Sequence, residues 1–215
     1  MTLDFELLLP LGALAFYLYD CGQSLLGNEL LLAHGGGRWR IMPRTSLAFA
    51  GRELAFIDPL RPHQPTYRVA WADADPRGLR EDPDRLANFE RQLAPLRPLV
   101  LVLLVLLLVA LPSASLGFGA GAVLLLVFAA YYLLVLGALA WLFGRRETLG
   151  LGGRAFGSLA FDVLACAPFA VNLLRRVTLA RGLAGDPLAF ADVAFDPASR
   201  ESLHRALPAT PEDLP

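Results

Sequence analysis

The chain has 215 residues, 55% of them hydrophobic and 18% charged, and a net charge of −1. Counting glycine takes the apolar share to roughly 64%, against about 45–50% for an ordinary globular domain. These figures exclude an intrinsically disordered chain, and they exclude a nucleic-acid binder held by a global basic surplus.

Charge divides the chain into four blocks. Residues 1–33 carry −4, residues 34–97 carry +3, residues 98–144 have no charged side chain, and residues 145–215 are balanced. Every basic residue is Arg, and Ala, Leu, Gly and Pro abound, which is the codon signature of a GC-rich bacterial genome. The expected class is a mainly α-helical membrane protein of the bacterial inner membrane. It has three transmembrane helices, with a fourth as the alternative, and a small cytoplasmic α/β module between spans one and two.

Residues 1–33 are expected to hold the first transmembrane helix, over about Leu7 to Ala33, with its N-terminus outside. The start MTLDFELLLP lacks the basic region of a secretory signal peptide, and Arg38, Arg40 and Arg44 follow the segment. Asp20, Ser24 and Asn28 recur every four residues, and Tyr17 lies one turn before Asp20. On a helix they form one polar stripe. A carboxylate at membrane depth is by default a functional candidate; the favoured reading is a hydrocarbon span that stops near Ser24, with Asp20 at the headgroups, and a packed polar stripe is the alternative.

Residues 34–97 read as a small cytoplasmic β-sheet followed by an amphipathic helix. Arg38 to Ile41 and Tyr67 to Trp71 alternate polar with apolar, and Leu47, Phe49, Leu54 and Phe56 flank a hairpin turn at 50–53. Prolines at 59, 62 and 65 stiffen the connection between strands. Asp82-Pro83 is a helix start, an Asp cap with Pro at the first helical position. Leu86, Phe89 and Leu93, with Leu96, then make one apolar stripe; covering the sheet is favoured over lying along the headgroups, and the first three are also the candidate partner-facing residues.

Residues 98–144 are expected to form a transmembrane hairpin. About nineteen residues from Pro98 to Leu116 cover about 28 Å, close to the hydrocarbon thickness. A turn around Pro112 and PSASLGFG leads to a second helix ending at Trp141 and Phe143, beside Arg145 and Arg146. Arg flanks both outer ends and none lies in the turn, which places the outer ends in the cytoplasm. The GFGAG run lacks the strand and the Lys of a phosphate loop; Gly117 and Gly121 read instead as a helix-packing pair.

Residues 145–207 are expected to be a cytoplasmic, membrane-associated helical region. The stretch 155–174 is long enough to tempt a fourth span, but Pro168 breaks it and Arg flanks both ends. An interfacial or re-entrant helix is favoured, with Ser158, Asp162, Asn172 and Arg176 near one face. Asp186-Pro187 and Asp196-Pro197 repeat the capped helix start, and the tail 208–215 is expected to stay unstructured.

No catalytic constellation is legible. His34, His63 and His204 have no partner at motif spacing and read as surface residues, and Cys21 and Cys166 read as buried, inert thiols. Asp20 and Asp162 are a candidate pair of carboxylates that face each other at membrane depth and share a proton. No cofactor and no metal are expected. Expected partners are membrane lipids and either another protein or a second copy of the chain, but no nucleic acid. The expected function is a non-catalytic subunit, scaffold or assembly factor of a membrane complex. The alternatives are a transport component using the polar stripe, with Asp162 facing it, and a lipid-modifying enzyme.

Overall fold

A computed structural model describes residues 5–49, 51–70, 82–116, 120–184, 195, 197 and 199–201. Helix α1 spans Phe5–Cys21 and runs straight into strand β1, Gly22–Leu25. The helix expected as far as Ala33 therefore stops twelve residues early, and its polar stripe does not form. Tyr17 and Asp20 lie on α1, Ser24 lies in β1, and Asn28 lies in a turn. Gly27-Asn28 supplies turn chemistry, and the Glu29 carboxylate locks it by accepting from the Leu26 N–H at 3.0 Å.

Five further strands follow: β2 (Glu29–Gly35), β3 (Arg38–Ile41), β4 (Arg44–Phe49), β5 (Arg52–Phe56) and β6 (Thr66–Ala70). They form two sheets. In one, β5 lies between β1 and β4, all antiparallel. In the other, β2 pairs antiparallel with β3 and β6, and β6 pairs parallel with the short β7, Leu183–Ala184. The hairpin expected at 50–53 is the β4–β5 turn, with Gly51 at a φ of 73°. A second hairpin joins β2 to β3 through Gly36 and Gly37, both at positive φ, the two-residue turn that matches strand twist.

Strand β2 explains the misread boundary. Leu30 to Ala33 are buried on both faces, so the strand is continuously apolar rather than alternating. Such a run has no period that separates it from a helix. Leu31 packs with Leu25, Ala55 and Ile57 in a small core, while Leu30 and Leu32 join the main core.

Helix α2 (Pro83–Leu93) starts as expected, with the Asp82 carboxylate accepting from the Asp84 N–H and Pro83 in the first turn. Leu86, Phe89 and Leu93 are all buried in the main core beside Tyr67 and Val69. They cover the chain's own sheet, so they are not available to a partner.

Helices α3 (Leu96–Val105) and α4 (Leu111–Leu116) are joined by a π-helical turn at Leu106–Ala110. The Leu111 N–H reaches back to Leu106 O. Pro112 therefore sits inside the rod rather than ending it. The wider turn just before it relieves the clash and the missing N–H that a proline brings. Helix α5 spans Ala120–Arg145. The rod Leu96–Leu116 and the stretch Gly121–Arg145 are long and apolar enough to cross a membrane. Only 22% of the most apolar stretch of α5 is buried within the chain. Leu125, Leu126 and Leu133 are about 70% exposed. Gly117 lies outside the described residues, and nothing within 4 Å of Gly121 would meet a Cβ there, so none of the described helices packs closely on it.

The region expected as a fourth span or a broken helix is broken. Helix α6 (Gly153–Ala165) gives way to a 3-10 turn at Ala167–Asn172, with Pro168 in its first turn, and then to α7 (Leu173–Arg181). Helix α6 folds back along α5: Phe156 meets Phe143 with ring centroids 5.5 Å apart, and Tyr131 donates to Ala167 O at 3.0 Å. Helix α7 packs on β6, where Thr178 Oγ1 donates to Thr66 O at 2.6 Å and accepts from the Thr66 N–H at 3.1 Å. Pro197 and residues 199–201 are helical; Asp186-Pro187 and the tail lie outside the described residues.

Candidate functional site

Two buried polar clusters stand out. The first lies where α1, α6, α7 and the loop after β5 meet. Arg175 and Arg176 are neighbours on α7, so their side chains leave the helix about 100° apart. Arg175 is 2% exposed. Its guanidinium donates to Asp58 O at 2.5 Å, to Arg61 O at 2.6 Å and to Asn172 Oδ1 at 3.0 Å. No carboxylate touches it among the described contacts. Burial pulls its pKa below the usual arginine value, yet arginine stays a cation in proteins. The fork geometry lets one side chain hold two carbonyls of the loop at once.

Arg176 points the other way. Its guanidinium grips Asp20 through Nε at 3.2 Å and through a terminal nitrogen at 2.5 Å, and holds Asp162 at 3.0 Å. It also lies over the Phe169 ring at 4.6 Å. Burial works against the cation, but the hydrogen bonds and charges of Asp20 and Asp162 outweigh it and raise its pKa. Asn172 links the two arginines: it donates to Asp20 at 3.0 Å while accepting from Arg175. Tyr17 donates to Pro59 O and so ties α1 to the same loop.

Asp20 and Asp162 are thus brought to one place, with the Arg176 guanidinium hydrogen-bonded to both. Of the expected stripe, Tyr17 and Asp20 reach this cluster, and Ser24 and Asn28 do not. Arg175 was missed. Two of its acceptors are the backbone carbonyls of Asp58 and Arg61, which carry no sequence signal.

The second cluster lies between α2 and the β2 sheet. Glu90, 7% exposed, accepts from Tyr67 at 3.1 Å. It also lies 2.7 Å from His34 Nδ1, and Arg97 stands 3.7 Å away. Burial and the Glu90 charge push the Tyr67 hydroxyl well above its ordinary range. Trp39 stacks on His34 with centroids 4.4 Å apart, and Phe195 stacks on Trp39 at 6.1 Å. His34 is therefore a tethered residue with a carboxylate partner, not a plain surface histidine. The 56 residues between His34 and Glu90 hide the pair from any spacing motif.

A histidine oriented by a carboxylate is one part of a proton-transfer site, and such a site also needs a reacting group. Among the described residues, Trp39, Tyr67 and Arg97 stand around the pair. Among the described residues, no group of three or more His, Cys, Asp and Glu is placed to hold a metal ion. Both clusters join elements distant in sequence, and their geometry is that of fastenings. No protein-family model, no curated protein and no solved structure matches this chain.

Proposed function

We propose that the chain is a multi-pass subunit of a bacterial inner-membrane complex, acting as a scaffold or assembly factor. It takes a protein partner on the open face of the β1-β5-β4 sheet. One observation carries this reading. Leu54 and Phe56 share the outer face of β5 and are 37% and 41% exposed, and Leu47 on β4 is 67% exposed. The opposite face is filled by Ala55 and Ile57, both buried. An apolar sheet face left open outside the apolar helices is the mark of an interaction surface.

Membrane insertion is supported by the exposed apolar surface of α5, which needs lipid or protein to cover it. Arg97 at one end of the hairpin, Arg145 and Arg146 at the other, and none in the turn favour cytoplasmic outer ends. Helix α1, about 26 Å long at 1.5 Å per residue, serves as the third span with its N-terminus outside. The sheet module then sits at the cytoplasmic surface, fastened by Arg175 and Arg176. A scaffold gains from that fastening, because the partner is held at a fixed angle to the membrane. The transport alternative has lost half its stripe, and both carboxylates of the lipid-enzyme alternative are bound to Arg176.

Extraction in mild detergent followed by native mass spectrometry tests the proposal. The expected result is a fixed-stoichiometry complex with another protein. Leu54→Glu with Phe56→Glu should release that protein while leaving the chain in the membrane fraction with an unchanged melting midpoint. A chain that emerges alone, or a double variant that keeps its partner, overturns it.

A further inference from the structure

A partly open cavity of about 340 Å³ lies among α1, the π turn and α5. Its walls include Gly12 and Ala13 of α1, Leu106 and Leu107 of the π turn, and Val127 and Phe128 of α5. Gly12, Ala13, Leu106 and Leu107 fall near the middle of α1 and of the α3–α4 rod, and Val127 and Phe128 lie about two turns inside α5. The cavity therefore lies at the depth of the hydrocarbon once α1, the α3–α4 rod and α5 cross a membrane, and the inference rests on the membrane-embedded reading above. Of its lining residues, Leu8 and Phe16 of α1 and Tyr132 of α5 are exposed, and Ala165 to Pro168 also border the space.

Two local features keep the space open. Gly12 and Ala13 offer no side chain long enough to fill it, and a Cβ at Gly12 would meet nothing within 4 Å. Opposite them the rod widens into its π turn, a form that recurs at functional sites.

The chemistry of the walls selects the occupant. A buried water needs two to four polar partners. The polar groups here are Tyr131, Tyr132 and Cys166, and the Tyr131 hydroxyl is already spent on Ala167 O. Water is thus disfavoured. A partner helix is about 10–12 Å across, far too wide for this space. At roughly 30 Å³ per water-sized group, the cavity holds on the order of ten methylenes. We propose that it binds the acyl chain of one membrane lipid, seated between α1 and α5 against the π turn.

Gly12→Leu fills the cavity without a backbone clash. Gly137→Leu adds the same side chain at an open position of α5 that does not line it. The full-length protein is extracted from membranes and its retained phospholipid counted by native mass spectrometry. It is then photolabelled in vesicles containing a phospholipid with a diazirine midway along one acyl chain. The wild type and Gly137→Leu should keep one lipid beyond the detergent-exchangeable shell and label on α1 and α5. Gly12→Leu should keep at least tenfold less and lose that label, while melting at or above the wild-type midpoint. If Gly12→Leu melts early, Ala13→Leu takes its place. Lipid retained undiminished in a folded, filled variant overturns the acyl-chain site. So does a protein segment, rather than lipid, found cross-linked there. Alkaline carbonate washing separates the two failures: a chain released by the wash sinks the membrane reading itself, whereas a chain that stays put without a bound lipid sinks the cavity inference alone.

Discussion

The Arg175 and Glu90 clusters bury opposite charges to a similar degree, 2% and 7% exposed, and enclose them differently. Arg175 is held by main-chain carbonyls of one loop and by Asn172. Glu90 is held by side chains, His34 and Tyr67, with Arg97 further off. Backbone acceptors cannot turn away when their donor is lost, but side-chain donors can rotate toward water or toward each other. The same burial should therefore be far less replaceable at Arg175 than at Glu90.

Arg175→Met is the hardest test of that contrast. It strands the carbonyls of Asp58 and Arg61 and the Asn172 amide oxygen, and each buried orphan costs about 1–3 kcal/mol. The expected loss is at least about 3 kcal/mol in detergent unfolding, on that per-group figure. Arg175→Lys should recover little, because a point charge cannot span two carbonyls. Full stability in either variant breaks the comparison.

Asp20→Asn comes next. It removes the two-point grip on Arg176, and hydrogen bonds to charged groups are worth about 1.5–3 kcal/mol. Asp162→Asn should cost less than about 1 kcal/mol, since its side chain is 45% exposed and its pair is well screened. Equal losses from the two would mean that Arg176 does not favour Asp20.

Glu90→Gln keeps the shape and an acceptor for Tyr67. It should cost about 1–2 kcal/mol, well below Arg175→Met. A loss as large as that of Arg175→Met would show the two enclosures to be equally rigid.

The smallest effect is a pH dependence at His63. Burial, followed by the charges of Arg175, Arg97 and Arg61, lowers its pKa from the ordinary 6.5. The unfolded chain then binds the proton more readily than the folded one. Stability at this position is intact above about pH 6.5 and declines as pH falls through the lowered value. His63→Gln should flatten that acid limb of a melting-point profile without moving the plateau above pH 7.

Legibility in the sequence followed the physics of each segment. The uncharged block 98–144 gave two long apolar helices, because length and absence of charge suffice to specify them. The start of α2 was legible because Asp82-Pro83 satisfies local helix-end donors. The end of α1 was not, because Leu30 to Ala33 form a strand buried on both faces and lack the alternation that marks a half-exposed one. Strand β7 is two residues long and owes its place to β6, so nothing local specifies it. Of the polar joint, Asp20, Asp162, Asn172 and Arg176 were visible as charges or amides out of place in apolar runs. Arg175 looked like an ordinary flanking arginine, and only the fold reveals that it points inward.

The grip of Arg176 on Asp20 also sets a timetable. The two residues are 156 positions apart, and ribosomes add about 5–20 residues per second, so the carboxylate waits about 8–30 s for its counter-charge. Through that interval α1 must be kept by something other than its final partner. The late arrival of α7 then closes both the ion pair and the loop clasp in one step, which makes α7 a latch on α1.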